Sequence, residues 1–196
     1  MTYRLPLIYK KLLILCVVFG PILWLMFTED GQRRTDTMVL WLFGEEEISM
    51  DLDALSNQYA EQEIGKVYGN LNWRCQDRED TYGDRVCVAR IGIFNGIPAR
   101  YLTVFYRDGR LSAVKLHYRA HNHGQLQSQL YTLWGDPYEP TQTTSEDSGQ
   151  VLQWRTHFGL VLMKKALIGD DEPALFWLSS NLVSGTLETE PKNATK

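Results

Sequence analysis

An uncharged apolar run near the N-terminus constrains this chain more than any other feature. The run covers residues 12–27, sixteen positions without a charge. A helix needs ~20 apolar residues to cross the hydrocarbon core of a bilayer, so the run is slightly short. Lys10 and Lys11 can snorkel toward the headgroups, which extends the span to Leu7–Phe27. We therefore expect a transmembrane anchor over residues 1–28, with the membrane as a partner of this segment.

The charges on either side of the run predict its orientation. Arg4 and two lysines precede it, whereas Glu29 and Asp30 follow it, and the positive-inside rule then places the N-terminus in the cytoplasm. Arg33 and Arg34 weigh against this orientation. A cleavable signal peptide is the alternative, but the residues after the run offer no small-x-small cleavage site. The interpretation is a single-pass signal-anchor with a periplasmic or otherwise extracytoplasmic C-terminal domain.

Two of the three cysteines favour the same compartment. Cys75 and Cys87 lie in consecutive strand-like segments, and such a pair in an exported domain most often forms a structural disulfide. The alternative is a pair of free thiols in a cytosolic protein. Cys16 lies inside the apolar run, where it reads as a small hydrophobic residue.

Beyond the anchor, the hydrophobic period changes between helix and strand. A period of three to four predicts helices over residues 51–64 and 125–134. Alternation with a period of two predicts about seven strands, over residues 70–75, 85–94, 99–106, 111–118, 150–157, 160–167 and 174–179. The short connections between them favour an antiparallel sheet. The predicted fold is thus α+β: an N-terminal transmembrane helix followed by an antiparallel β-sheet domain with two helices.

The domain boundaries follow from composition. Residues 29–48 form a juxtamembrane linker, residues 49–185 the α+β domain, and residues 186–196 a polar, disordered tail. Within the linker, the apolar residues 38–43 are too short to span a bilayer. They are a core segment, a helix packed on the domain, or a segment in the membrane surface.

One hairpin predicts which residues face each other. Asp108-Gly109 is a strong two-residue turn signal. Counting outward from it pairs Tyr106 with Leu111 and Val104 with Ala113. Both faces of the hairpin carry apolar residues, so neither is plainly a solvent face.

Two clusters have the residue types of an ion site. His117, His121 and His123 crowd one junction, and histidine is a common zinc ligand, although no nearby Cys or HExxH-type helix completes a ligand set. The loop 77–84 carries four carboxylates, but its spacing does not follow a calcium-binding EF-hand. A solvated hairpin tip is the simpler interpretation of the loop. For His121 and His123 the alternative to metal binding is exposure to solvent at the start of a helix.

Motifs and net charge narrow the function classes. The chain has no Gly-x-Ser-x-Gly elbow, P-loop or dinucleotide fingerprint, so no cofactor and no catalytic residue is predicted. A net charge of −4 gives no overall attraction to nucleic acid. An enzyme is not excluded, because catalytic groups can converge in space without a motif.

The leading hypothesis is a membrane-anchored envelope accessory or assembly protein that binds another protein. Aromatic residues are enriched at protein interfaces, and the interaction candidates on the sheet are Tyr101, Phe105 and Tyr118. One alternative is a membrane-tethered inhibitor or immunity protein whose acidic loop 77–84 plugs a basic active site. A further alternative is a metal-binding enzyme or sensor built on the three clustered histidines.

Overall fold

The computed structural model describes residues 7–28, 46–138 and 150–188 of the 196-residue chain. Two compact units are present, residues 1–44 and residues 45–196. The apolar segment 38–43 lies outside the described residues, and so do residues 189–196 of the predicted tail.

In the first unit the structure describes the helix α1, Leu7–Phe27, with Pro21 inside it. Among the residues that the structure describes, none of the helices combines the length and the apolarity that crossing a bilayer requires. The prediction of a transmembrane anchor, and with it the single-pass localisation, is therefore wrong. Lys10 and Lys11 lie within α1 and leave sixteen uncharged positions. At ~1.5 Å per residue these cover about 24 Å, short of the ~30 Å hydrocarbon core.

The second unit is an α+β domain built on one large sheet. Its strands are β1 Glu47–Ile48, β2 Arg74–Asp77, β3 Arg85–Arg90, β4 Ile93–Phe94, β5 Ile97–Arg107, β6 Arg110–Tyr118, β7 Val151–Arg155, β8 Gly159–Lys164 and β9 Ala174–Ser179. Its helices are α2 Glu61–Val67, the 3₁₀ helix Ala120–Asn122, α3 His123–Trp134 and α4 Ser180–Glu188. The fourth helix thus extends into the first residues of the predicted tail.

The sheet has nine strands and is mixed, where about seven antiparallel strands were expected. Its order is β1-β4-β5-β6-β9-β8-β7, and β3 and β2 extend from β5 beside β4. The predicted strand 85–94 is divided into β3 and β4, and β1 pairs with β4 in parallel, with Ile48 opposite Phe94. These two-residue strands carry too little alternation to be found from sequence. The described part of the second unit has three α-helices and one 3₁₀ helix, where two helices were predicted.

The hairpin between β5 and β6 has the predicted turn but a shifted register. Asp108 and Gly109 both have positive φ, 52° and 72°, as a two-residue turn of this kind requires. Tyr106 pairs with Leu111 as predicted, but a bulge follows and Val104 pairs with Val114 instead of Ala113. A bulge adds one residue to one strand, which a count along the sequence does not detect.

The first predicted helix is mostly not helical. Only residues 61–67 form α2, while residues 51–60 form turns. The Asp51 carboxylate accepts the Asp53 backbone N–H at 2.9 Å, and the Ser56 hydroxyl accepts the Gln58 N–H at 3.3 Å. Such local side-chain bonds compete with helix formation. Leu52 is nevertheless buried, as its place in the apolar stripe predicted.

The inner face of the sheet forms the hydrophobic core. Directly paired residues of adjacent strands point to the same face, and two entirely apolar rows cross this one. They are Cys75–Cys87–Val104–Val114–Trp177–Val161–Trp154 and Ala89–Leu102–Leu116–Leu175–Met163–Leu152. Leu126 and Leu130 of α3 and Ile64 of α2 belong to the same buried cluster. The predicted disulfide is confirmed: it joins Cys75 to Cys87, directly opposite each other at the start of the first row.

Candidate functional site on the outer face of the sheet

The opposite face, here called the outer face, is only partly covered. Three rows of paired residues cross it: Gln76–Val86–Phe105–Ala113–Leu178–Leu160–Arg155, Arg74–Val88–Thr103–Lys115–Phe176–Leu162–Gln153 and Arg90–Tyr101–His117–Ala174. Leu182 of α4 covers the first row and forms a small second cluster with Val86, Phe105 and Ala113. The second and third rows carry basic side chains of β2, β3 and β6, and they form the candidate site.

A loop folds over one side of this face. Residues 78–84 connect β2 to β3, and the Tyr82 ring lies 5.1 Å from the Phe105 ring and 5.7 Å from the Phe176 ring, centroid to centroid. Gly83 lets the loop approach β5, since a Cβ there would lie 2.1 Å from the Tyr106 carbonyl oxygen. The loop is therefore a wall that stands on the sheet.

Acidic side chains of the loop maintain its shape. Asp80 accepts the backbone N–H groups of Tyr82 and Gly83 at 2.7 and 3.1 Å. Asp84 accepts the Asp108 N–H at 2.9 Å, and Asp77 pairs with Arg85 at 2.6 Å. Three of the four carboxylates of residues 77–84 thus have partners within the domain and need no calcium ion to account for them. The idea that this loop plugs a partner's active site stays a prediction.

A polar triad occupies the other side of the site. Glu172, in the turn before β9, accepts from Lys115 Nζ at 3.1 Å and lies 2.9 Å from His117 Nδ1. Lys115 Nζ also lies 5.3 Å from the centre of the Phe176 ring, a cation–π contact. Glu172 is 64% exposed, while the side chains of Lys115 and His117 are 21% and 18% exposed. One solvent-accessible carboxylate thus holds two half-buried basic groups.

The ionisation of the triad follows from these contacts. Burial lowers the pKa of His117 and the charge of Lys115 lowers it further, although Glu172 acts in the opposite direction. The hydrogen bond from Lys115 keeps the pKa of Glu172 below its usual range. Because an ionised carboxylate only accepts, Nδ1 of neutral His117 carries the proton and Nε2 is left as an acceptor. The triad can bind a proton donor or, at Lys115, an anion.

Between loop and triad lies a cleft of about 340 Å³. Its lining is formed by Gln76, Arg78, Asp80, Tyr82, Val86, Val88, Thr103, Phe105, Lys115, His117 and Phe176. Within the described parts of the chain, the Arg78 guanidinium makes no ion pair or side-chain hydrogen bond. The lining therefore combines apolar side chains with two cations, Arg78 and Lys115, and one carboxylate, Asp80.

The predicted interaction residues occupy different environments. Tyr101 is on the outer face and 46% exposed, and its ring makes an edge-to-face contact with the His117 ring. Phe105 is on the same face but buried under Tyr82. Tyr118 is buried at 1% exposure on the inner side, where its hydroxyl lies 2.7 Å from His123 Nδ1. Of the three, only Tyr101 is accessible to a partner in this conformation.

The three candidate histidine ligands do not converge. His117 is bonded to Glu172, and His123 lies between the Tyr118 hydroxyl and the Lys165 carbonyl oxygen, at 2.7 and 3.3 Å. In residues 7–28, 46–138 and 150–188, the group of metal-donor side chains found close together is Glu61, Cys75 and Cys87. Its two sulfur atoms are joined in the disulfide. The histidine metal site stays a prediction without geometric support.

Sequence reasoning did not find Lys115, Glu172 or Arg78. Lys115 and His117 are two positions apart on one strand, which places both on one face. That signal was present in the sequence, but Glu172 is 57 positions from Lys115 and reaches it only through the pairing of β6 with β9.

Comparison of the chain with protein-family models, with curated proteins and with solved structures finds no match in any of the three. The geometry of the outer face is accordingly the basis for a functional proposal.

Proposed function

We propose that the second unit is a protein-binding domain that docks an acidic segment of a partner protein on the uncovered part of its outer face. The observation that carries the proposal is the juxtaposition of an exposed aromatic residue, Tyr101, with cationic groups around one cleft. Tyrosine and arginine are both enriched where proteins bind each other.

Charge supports an acidic partner. Arg74, Arg78 and Lys115 are grouped at this end of the outer face, while the chain as a whole has a net charge of −4. The acidic groups that line or reach the cleft are already engaged: Asp80 with the loop backbone and Glu172 with the triad. Among the described residues Arg74 and Arg78 form no ion pair, so their guanidinium charges can attract an acidic partner to this end of the face.

The test is site-specific photo-crosslinking with the full chain in cells. A photo-reactive phenylalanine analogue replaces Tyr101 in one variant and Leu133 in the control variant. Leu133 lies on α3 and is 68% exposed, so it is at least as accessible. We expect one dominant adduct at position 101 and none of the same mass at position 133.

The identity of the surface is then tested by charge reversal. The adduct at position 101 should be lost in Arg74→Glu/Arg78→Glu and retained in Arg110→Glu/Arg155→Glu. An adduct that survives the first pair, or equal adducts at positions 101 and 133, would refute the proposal. Binding of the purified, identified partner should also weaken as salt rises, because exposed charge pairs are screened.

A further inference from the structure

The cleft on the outer face has the size and lining of a site for one side chain. Its volume of about 340 Å³ is at the lower end of the ~300–1,000 Å³ found for ligand pockets. A flat interface needs no such recess, so we expect one specific group of the partner to fill the cleft.

The floor and one end of the cleft are suited to an aromatic ring. Val88 and Thr103 are adjacent in the second row and form part of the floor. Tyr82 and Phe176 close one end with nearly parallel rings, at an interplanar angle of 27°. Aromatic rings gain both from buried apolar area and from offset or edge contacts with other rings.

The two sides of the cleft are suited to a carboxylate. Arg78 presents a guanidinium without an ion pair among the described residues, and a guanidinium can bind a carboxylate with two parallel hydrogen bonds. Lys115, also in the lining, is bound to Glu172, whose side chain is 64% exposed. Glu172 therefore occupies the position on Lys115 that a carboxylate of a ligand would take.

We propose that the cleft binds an aromatic carboxylate, with the ring on Val88 and Thr103 and the carboxylate between Arg78 and Lys115. This inference rests on the proposed function, because we assign the group to an aromatic residue adjacent to Asp or Glu in the acidic segment of the partner. Glu172 competes with the incoming carboxylate for Lys115. The competition distinguishes this site from nonspecific binding to the surface. Substitution of Arg78 should weaken binding, whereas substitution of Glu172 should strengthen it.

The experiment titrates probes into the full chain and follows methyl resonances by NMR. The probes are an acetylated, amidated Asp-Phe-Glu peptide, 3-phenylpropionate, its neutral amide, and propionate, which has no ring. The methyl groups of Val86 and Val88 line the cleft, and those of Leu152, on the inner face, are the internal control. We expect the peptide and 3-phenylpropionate to shift the methyl resonances of the cleft. The amide and propionate should bind at least about tenfold more weakly than 3-phenylpropionate.

Variants then separate the carboxylate contacts from the fold. Arg78→Gln should weaken the peptide about tenfold, and Arg110→Gln, an exposed arginine elsewhere, should have no effect. Glu172→Gln should tighten the peptide about threefold, while Asp170→Asn, a nearby exposed acid without a contact to Lys115, should not. Val86 and Val88 shifts in the absence of probe show whether each variant remains folded.

Several results would overturn the inference. Equal binding of 3-phenylpropionate and its amide, or an unchanged affinity in Arg78→Gln, would exclude a carboxylate site. Weaker binding in Glu172→Gln would exclude the competition. Binding of the free acid without the peptide would assign the cleft to a small molecule and not to a partner segment.

The proposed function and this inference fail separately. If position 101 crosslinks to a partner but no probe binds the cleft, the protein-binding function stands and the aromatic-carboxylate site is refuted. If the peptide probe binds with the predicted variant effects but no partner crosslinks at position 101, the site stands and the proposed function is refuted.

Discussion

Asn95 shows how one side chain connects two segments of this domain. Its φ is 47°, a left-handed conformation, in the turn between β4 and β5. Its amide accepts the Met50 N–H and donates to the Met50 carbonyl oxygen, both at 2.8 Å. The pair of bonds continues the parallel contact of β1 with β4, so this turn residue attaches the start of the domain to the sheet.

We expect Asn95→Ala to lower the free energy of unfolding by ~2 kcal/mol, because it removes the two bonds and leaves alanine, which lacks the polar side chain that makes this conformation tolerable for asparagine, at positive φ. Asn95→Gly removes the same bonds without the conformational cost and should lose about half as much. Urea denaturation of both variants measures the difference. Equal losses would show that the conformation at position 95 carries no cost.

His117 makes the stability of the domain depend on pH. Its pKa is lowered in the fold, mainly by burial, so the unfolded chain binds a proton more readily than the folded one. Protonation therefore favours unfolding, and stability should fall as the pH drops below the ordinary histidine pKa of about 6.5. The stability that His117 contributes is complete above that value.

The test compares urea midpoints at pH 7.5 and 5.5. The loss between the two should be smaller in His117→Gln than in the parent chain, and His157→Gln, at an exposed position, should keep the full loss. Glu172, whose pKa is also lowered, contributes in the same direction but in a more acidic range. An identical pH response of all three chains would contradict this assignment.

At the scale of elements, the disulfide and the wall of the cleft form one structure. All four residues of β2 are exposed, and among the described strands it pairs with β3 alone. The Cys75–Cys87 bond ties it there, and the loop that carries Arg78 and Tyr82 follows directly. The bond therefore holds the start of the wall against the sheet, and for the proposed partner segment this would reduce the entropy lost on binding.

Removal of the bond in Cys75→Ala/Cys87→Ala should cost ~3 kcal/mol of stability in the chain-entropy model. It should also loosen the loop itself. The amides of Arg78 and Asp80, which donate within the loop at 2.8 Å each, should exchange with solvent faster than the global loss alone explains. Hydrogen exchange resolved by residue measures this. A uniform increase across the domain would show that the disulfide acts only on global stability.

At the scale of the whole domain, two sets of strands share one core. β6 and β9 join the strands before α3 to those after it through five residue pairs, from Ala113–Leu178 to His117–Ala174. The buried cluster on the inner face includes residues from both sets, among them Val104 and Val161. A shared core of this kind favours a single cooperative unfolding unit.

We therefore expect a cavity at one edge to weaken the other edge. Leu152→Ala, at a fully buried position of β7, should cost ~3 kcal/mol. The opening free energies of amides in β3 and in β8 should fall by that same amount in native-state hydrogen exchange. Leu133→Ala, at 68% exposure, is the matched control and should change neither. A response confined to β7, β8 and β9 would show two independently unfolding halves.

The sequence by itself determined the features that depend on near neighbours. Alternating residues located the main strands, Asp108-Gly109 located the central turn, and the apolar stripe with Gly135 located α3 and its end. Cys75 and Cys87 were paired because they lie on the same face of adjacent strands. Each of these signals is local: a side-chain period, a left-handed turn position, or a short separation along the chain.

Tertiary structure alone decided the rest. The bulge near Phe105 and the parallel pairing of β1 with β4 depend on contacts that no local pattern encodes. The apolar count near the N-terminus overestimated what Leu7–Phe27 can span, because Lys10 and Lys11 fall inside the helix. The site itself joins residues that are far apart along the chain: Arg78 and Lys115 line one cleft, and Glu172 reaches Lys115, only because strand pairing brings these segments together.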